Sequence, residues 1–290
     1  MAKYDAQSAL PGGEAGPWGD PVTVKYDRRD VLLYAVGIGA RDLSFIYEGH
    51  PDFTVFPTFP IRWGGSGAPI DLNAIPNSPG PLNIDAERYL EMEKPLPLTG
   101  EVTVQSRVIA AHPRGKGNGF VEFESLVRDS DGNVCVRMVN GSFRRGVEKL
   151  GDIEPFEGSG ETFSTKITVP ESSADVTAAV EIPDNQAHIY RLSGDYNPLH
   201  IDPESARFGG FDEPILHGLC TFGHCGQLLV AELCDGAAAR FRKIKVRFSS
   251  PVYPGDTLAV HMWHDGPGRV IFEGRVEDKV VVSNAYFEYA

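Results

Sequence analysis

The spacing of apolar residues predicts a helix near the N-terminus, followed by a group of strands. In residues 26–37 the apolar positions recur at helical spacing, Asp27 stands where a helix cap is expected, and Gly37 closes the run. From Tyr89 onward the pattern is typical of strands separated by turns. The strand candidates are 102–105, 120–124 and 134–139, with turns at 114–119 and 131–132.

The second half of the chain repeats this order. A helix is expected around 185–192, and a long apolar run that opens at Pro214 and ends near Leu233 predicts a buried helix. Strands are then predicted at 243–248, 257–263, 270–276 and 279–287. Two copies of helix, long helix and antiparallel strands indicate an α+β fold. The first copy shows no clear long helix, because residues 62–81 are rich in Gly, Pro and Asn and predict irregular structure.

Composition limits the classes of protein to which the chain can belong. Its 290 residues, 41% of them hydrophobic, are enough for a sizeable core, and the net charge of -13 argues against nucleic acid and anionic membrane surfaces as partners. No apolar run reaches the ~18 residues of a membrane span. The four cysteines do not resemble a disulfide framework, so an intracellular protein is expected. Residues 1–20 are polar and Gly/Pro-rich, which predicts a loose tail without a signal peptide.

The candidate chemistry is concentrated in residues 190–219. Asp195, Asn197 and His200 lie within six residues, on a segment that Gly194 and Pro198 prevent from forming one continuous helix. Their side chains are therefore expected to project from a bend, where a carboxylate and an imidazole form a general acid/base pair. The alternative is a polar turn, in which the aspartate caps and the histidine satisfies a backbone carbonyl.

Two helix starts follow this segment. Asp202 followed by Pro203 predicts an N-cap and a first helical residue, with a short helix over 203–208 that ends at Gly209. Gly218, near the start of the long helix, leaves a backbone N–H uncovered where a developing oxyanion would be stabilised.

The two motifs carry a resemblance to a known family. The segment from Tyr190 reads Y-R-L-S-G-D-Y-N-P-L-H, and P-I-L-H-G-L-C-T-F-G follows it. This resembles the signature of the (R)-specific 2-enoyl-CoA hydratases, MaoC-like proteins that include the hydratase domain of peroxisomal multifunctional enzyme type 2. The resemblance implies a tandem hot-dog fold, two antiparallel sheets each wrapped round a helix, with a degenerate first copy. The expected division is an N-terminal half at 21–150 and a C-terminal half at 151–290, with the linker within 146–160.

The resemblance also implies an activity. Asp195 and His200 are expected to activate a water that adds to a trans-2-enoyl-CoA, giving the (3R)-3-hydroxyacyl-CoA in a reversible reaction without a redox cofactor. Asn197 would hold the water or the thioester, and the N–H of Gly218 would stabilise the thioester oxygen. An acyl-CoA is therefore the expected partner, and a homodimer is a further expectation.

Other positions match family residues that bind CoA or support activity. Phe248, which lies in an R-F-x-x-P-V-Y-P-G pattern, is expected to contact the ligand. Arg114 is expected to bind CoA, and Tyr190 is expected to belong to the substrate site. Tyr34, Glu48 and Asp202 are expected to support the site, although Glu48 could equally be a buried carboxylate that holds a loop.

Two departures from the family pattern leave the acyl chain and the carrier open. Asp85 and Ala86 replace a His-Gly pair that contacts CoA in relatives, and residues 144–149 replace a glycine-rich loop. The five cations of 240–247 could form a solvated sheet face or receive the CoA phosphates.

Several rival interpretations remain open at the level of the sequence. His217, Cys220, His224 and Cys225 have metal-binding side chains, but their apolar neighbours indicate a buried helix, so no metal is expected. The rival functions are a dehydratase on a specialised, for example polyketide-type, acyl thioester, a hot-dog thioesterase and a non-catalytic acyl-CoA-binding protein. The C-terminus is not an S-K-L-type peroxisomal signal, so the cytoplasm is favoured over the peroxisome.

Overall fold

The computed structural model describes residues 17–68, 78, 82–115, 117–147, 156–157 and 166–290. The chain divides into two compact units, each assembled from several segments. The first unit consists of Met1–Val24, Trp63–Tyr89 and Glu101–Thr165, and the second of Lys25–Arg62, Leu90–Gly100 and Lys166–Ala290. The predicted division near residue 150 stays a prediction, because most of the predicted linker lies outside the described residues.

The first unit is built on antiparallel strands. Its strands lie within β1 (Val22–Tyr26), β2 (Asn83–Met92), β3 (Gly100–Gly115), β4 (Asn118–Arg128), β5 (Val134–Arg144) and the short β6 (Phe156–Glu157). Residues 25–26, 90–92 and 100 of these strands are assigned to the second unit. The strands follow the order β1-β3-β4-β5-β2, and β6 pairs with β3. The predicted strands lie within β3, β4 and β5, and the predicted turn at 131–132 lies between β4 and β5. The turn predicted at 114–119 is too long, because residues 114–115 belong to β3 and residues 118–119 to β4. No α-helix occurs among the residues described for this unit, where the sequence also shows no clear long helix.

A buried carboxylate on β4 shows how this sheet accommodates charge. Glu124 is 4% exposed. Arg107 on β3 and Arg137 on β5 lie 2.6 and 2.7 Å from its two oxygens. Because a buried charge is tolerated only when it is paired, the carboxylate depends on both neighbouring strands.

The second unit holds all five α-helices that the structure describes. They are α1 (Arg28–Gly37), α2 (Leu43–Ile46), α3 (Gln186–Tyr190), α4 (Pro203–Gly209) and α5 (Gly218–Leu233). Asp27 caps α1 in a reciprocal capping box with Asp30, and Asp202 caps α4, as predicted. The long helix starts at Gly218 rather than Pro214, and residues 214–217 lead into it without helical structure.

The end of α1 differs from the prediction. Gly37 is its last helical residue, but the residue in the left-handed conformation is Gly39, with φ of 73°. The N–H of Gly39 donates to Val36 and that of Ala40 to Ala35, which is the pattern of a Schellman motif. The turn after α1 therefore depends on Gly39.

An antiparallel sheet completes the second unit. Its strands are β7 (Val176–Glu181), β8 (Phe241–Phe248), β9 (Thr257–His264), β10 (Arg269–Val276) and β11 (Lys279–Tyr289), in the order β8-β11-β10-β9-β7. Four of these strands were predicted, and β7 was missed. The helix α5 contacts β7 and β8, and its apolar positions are buried on nearly all sides. This is the sheet and buried helix that the resemblance implies.

The strand β8 contains most of the cations that the sequence left open as a solvated sheet face or a site for CoA phosphates. Lys245 is 2% exposed, so it does not lie on a solvated face. Lys243 lies 3.2 Å from a carboxylate oxygen of Glu91 and 3.5 Å from one of Glu288. Lys243 is therefore already neutralised within the second unit.

No helix among the described residues has the length and apolar character that a membrane span would need.

Candidate active site

The central loop of the site runs from α3 to His200. A 3₁₀ turn at Arg191–Ser193 ends at Gly194, whose φ of 118° turns the chain away from the helix. The carboxylate of Asp195 then accepts the N–H of Asn197 at 3.2 Å, and the amide oxygen of Asn197 accepts the N–H of Leu199 at 3.1 Å. A second 3₁₀ turn, Pro198–His200, follows. These local bonds hold the predicted bend.

His200 is held with one ring nitrogen available. The ring is buried, and Nδ1 lies 2.9 Å from the carbonyl oxygen of Ile215. A carbonyl can only accept, so the neutral ring carries its hydrogen on Nδ1 and leaves a lone pair on Nε2. Burial lowers the pKa of His200, although the Ile215 carbonyl and the Asp195 carboxylate oppose that change. His200 is therefore a neutral proton acceptor at ordinary pH.

Asp195, His200 and His217 are brought together. Each offers one atom that could bind a metal, a carboxylate oxygen or a ring nitrogen, and these three atoms lie within 4.8 Å of one another. The rings of His200 and His217 stack, with centroids 3.8 Å apart and planes at 26°. The in-plane lone pairs of nearly parallel rings do not converge on one point, which makes the cluster a poor metal site. That no metal is used stays a prediction.

His217 was assigned to the helix core by its apolar neighbours, but the structure places it in the site. Its Nε2 donates to the backbone carbonyl of Asp195 at 3.2 Å. Burial, reinforced by His200, lowers its pKa to about 3. The sequence did offer one signal. His217 stands immediately before Gly218, the predicted oxyanion donor, so its side chain could be expected near the site.

Gly218 and Phe248 lie against each other. A side chain at Gly218 would place its Cβ 3.1 Å from the Phe248 ring. Gly218 is the first residue of α5, so its N–H has no intrahelical acceptor. The predicted oxyanion donor and the predicted ligand-contacting ring are therefore neighbours.

Tyr190 and Tyr34 form a layer behind the histidines. The Tyr190 ring packs on His217 at 4.9 Å and on Tyr34 at 6.4 Å. The Tyr34 hydroxyl is 2.8 Å from Thr58 Oγ1, and burial raises its pKa well above the usual range. Tyr34 thus packs behind Tyr190, and that it supports the activity stays a prediction. Tyr190 is 1% exposed, so a direct contact with substrate stays a prediction.

The remaining predicted residues are exposed or have structural partners. Glu48 is exposed in the turn that follows α2, so the alternative of a buried carboxylate is wrong. Asp202 accepts hydrogen bonds from the Ser205 hydroxyl and from the backbone N–H groups of Ser205 and Glu204, which lower its pKa. The two backbone bonds make it a helix cap. Arg114 is exposed at the end of β3 in the first unit, with its guanidinium 5.7 Å from the Phe120 ring.

The two departures from the family pattern also have structural partners in the first unit. Asp85 accepts from Arg88 at 2.8 Å, so its carboxylate is paired within β2. Arg144 is 2% exposed, and burial lowers its pKa to about 10.

Comparison with known proteins places the chain in a family. The MaoC like domain model matches residues 164–285, and the MFE-2 hydratase 2 N-terminal domain model matches residues 24–146. The 3-hydroxyacyl-thioester dehydratase Y of Mycobacterium tuberculosis is 34% identical over 97% of this chain and 99% of its own length. The chain belongs to the MaoC-like hydratase and dehydratase family.

Longer relatives contain the same region. The peroxisomal multifunctional enzyme type 2 of Mus musculus is 36% identical over 91% of this chain, which corresponds to 36% of that enzyme. Two further multifunctional relatives match over 46% and 30% of their length, so the chain spans less than half of these proteins.

Solved structures confirm the fold. A MaoC-like dehydratase from Phytophthora capsici superposes with a TM-score of 0.81 at 36% identity, covering 94% of this chain and 95% of that one. A Mycobacterium tuberculosis protein described as having a double hot-dog fold superposes with a TM-score of 0.55 at 12% identity, over 97% of each chain. The predictions of a MaoC-like family and a double hot-dog fold are therefore confirmed.

Proposed function

We propose that the protein catalyses the reversible hydration of a trans-2-enoyl-CoA to the (3R)-3-hydroxyacyl-CoA. The observation that carries the proposal is the placement of the Asp195 carboxylate within 4.8 Å of a ring nitrogen of His200, whose Nδ1 is held by Ile215 and whose Nε2 is left with a lone pair. Family membership supports a hydro-lyase, and relatives of this chain are named for hydration and for dehydration.

The chain's own residues supply each part of this reaction. The Asp195 and His200 pair takes a proton from a water, whose oxygen then bonds to the β-carbon of the enoyl thioester. Charge moves to the thioester oxygen, towards which the N–H of Gly218 donates. The α-carbon then receives a proton from the pair. The elements of one water are added and nothing is oxidised, so the proposal needs no redox cofactor.

The reverse reaction is the closest alternative. A dehydratase would use the same groups in the opposite order on a 3-hydroxyacyl thioester, and one relative is named for that direction. A specialised carrier in place of CoA is compatible with the paired Asp85 and the buried Arg144. A thioesterase would not need both Asp195 and His200 on one bend, and a purely binding protein would not need either.

The direct test is hydration of enoyl-CoA thioesters of different chain shape. We expect the purified protein to remove the conjugated thioester absorbance of crotonyl-, decenoyl- or branched enoyl-CoA. The product should be a substrate for a dehydrogenase specific for (3R)-hydroxyacyl-CoA. Release of free thiol from these substrates would instead indicate a thioesterase, and no reaction with any CoA or acyl-carrier thioester would remove the proposed function.

The proposed CoA contact of Arg114 has its own expected result. A protein of net charge -13 repels CoA at long range, so binding must depend on local cations that salt screens over ~8 Å. Arg114→Ala should raise KM for an enoyl-CoA more than it lowers kcat, and should change little for an enoyl-pantetheine. Salt should weaken binding of the CoA substrate selectively.

A matched control separates a local contact from the overall charge. Lys279→Ala removes the same charge from an exposed position that no motif implicates, and should leave KM near the wild-type value. Equal effects of the Arg114 and Lys279 changes, or equal effects on both substrates, would place the nucleotide away from Arg114.

Assembly and location complete the proposal as predictions. Family membership supports a homodimer. The cytoplasm stays the favoured location, with the peroxisome as the alternative. All four cysteines are free and buried, which fits a reducing compartment.

A further inference from the structure

We propose that His217 is a positioning residue that holds Asp195 and His200 in their reactive arrangement. This inference rests on the proposed function, because it assigns His217 to the same acid/base pair. His217 is the one side chain, among the described residues, that contacts the carbonyl of Asp195 and the rings of both His200 and Tyr190.

The stacked ring of His217 restricts a movement of His200 that the hydrogen bond between His200 and Ile215 leaves free. The Ile215 carbonyl holds the edge of the His200 ring through Nδ1. The His217 ring covers one face of His200, with centroids 3.8 Å apart. Edge and face together fix both the position and the plane of the ring, and therefore the direction of the lone pair on Nε2. Tyr190 packs against His217 at 4.9 Å and supports it in turn.

His217 also anchors the backbone that carries the carboxylate. Its Nε2 donates to the carbonyl of Asp195 at 3.2 Å, which requires the hydrogen on Nε2 in the neutral ring. Asp195 belongs to a loop rather than to a helix or strand, so this bond ties it to the start of α5. The distance between carboxylate and imidazole thus depends on one residue that is fixed by the helix.

The electrostatic surroundings keep His217 uncharged while His200 works. The titratable or charged residues around it are His200, Asp195, Arg191 and Tyr190. Burial lowers the pKa of His217 most, and repulsion from His200 in its protonated form and from Arg191 lowers it further, while the hydrogen bond to the Asp195 carbonyl opposes this change. A neutral ring can lie against His200 after His200 has taken a proton, whereas two stacked imidazolium rings would repel each other. The lowered pKa therefore keeps the ring neutral, and the hydrogen bond to Asp195 places its one hydrogen on Nε2.

Two substitutions separate the two contacts. His217→Gln keeps an N–H donor but removes the ring, and His217→Phe keeps a ring but removes the donor. The matched control is His224→Gln, the same change at a buried histidine about two turns further along α5. We expect each His217 variant to lower kcat about tenfold or more, and His224→Gln to stay within about twofold of wild type.

The pH profile gives a readout that a purely structural role would not move. Without the ring of His217, water reaches His200, its burial decreases and its pKa rises towards the ordinary 6.5. The base is then protonated at higher pH, so the acid limb of kcat/KM should move to higher pH in His217→Gln. In His217→Phe the face stays covered, and the acid limb should stay near that of the wild type.

Nitrogen NMR of the ligand-free protein tests the inference without activity. Wild-type His217 should be the Nε2–H tautomer and should not titrate at neutral pH, while His200 should be the Nδ1–H tautomer. An ordinary titration of His217, or identical His200 titrations in wild type and His217→Gln, would overturn the inference. If the Gln variant does not fold, the wild-type spectra and the Phe variant decide. Absence of hydratase activity in the wild type would remove only the proposed function.

Discussion

Asp195→Asn and His200→Ala are each expected to lower kcat by about 10²-fold or more while the protein stays folded. Asparagine keeps the oxygen that accepts the N–H of Asn197, so the bend should persist without the carboxylate. His200→Ala removes the proton acceptor and leaves the Ile215 carbonyl without its partner. Turnover of enoyl-CoA, followed together with far-UV circular dichroism, measures both parts of the prediction.

Matched controls exclude a general effect of these changes. Asp212→Asn and His188→Ala make the same substitutions at exposed positions of the second unit, and should leave turnover within about twofold of wild type. Near-normal turnover in Asp195→Asn or in His200→Ala would remove that residue from the mechanism. A loss of helix signal in either variant would assign its effect to folding.

Gly39→Ala is expected to destabilise the second unit by roughly 2–5 kcal/mol. The left-handed conformation at φ of 73° costs a non-glycine residue about 1–2 kcal/mol. The added Cβ would also lie 2.5 Å from Cε1 of the buried His224 ring, and such overpacking costs about 1–3 kcal/mol. Thermal and urea unfolding of the variant measure the change.

Gly266→Ala separates the strain from the clash. Gly266 has φ of 94° and nothing within 4 Å of the position that its Cβ would take. Its substitution should therefore cost only the conformational part, about 1–2 kcal/mol. Equal destabilisation by the two changes would show that His224 moves aside without cost.

Local elements could be predicted because their causes are local. The caps of α1 and α4 are set by Asp27 and Asp202, each within three residues of the N–H groups that it accepts. The strands β3 to β5 and β8 to β11 were found from strand-forming residues and the turns between them, because alternation and turn chemistry act over a few residues. The strand β7 was missed although its burial alternates, because it is only six residues long and includes two alanines, which are not strong strand formers.

Features that depend on distant neighbours were not predictable in this way. Glu48 is exposed although its motif matched, and Lys245 is buried although it lies in a basic strand. The burial of a side chain depends on which segments pack over it, and a strand pattern does not contain that information. The glycine that ends α1 was also misassigned, because Gly37 and Gly39 are both near the end of the run.

The sequence by itself determined the family, the double hot-dog fold and the two residues, Asp195 and His200, on which the proposed chemistry depends. It could do so because the motif is continuous and the two residues of the proposed acid/base pair lie on a single bend. Only the tertiary structure decided that Ile215 selects the tautomer of His200 and that His217 covers its face. Ile215 and His217 lie 15 and 17 positions after His200, in the segment that leads into α5. Spacing in the sequence cannot specify these contacts, because they are set by the path of the chain in space.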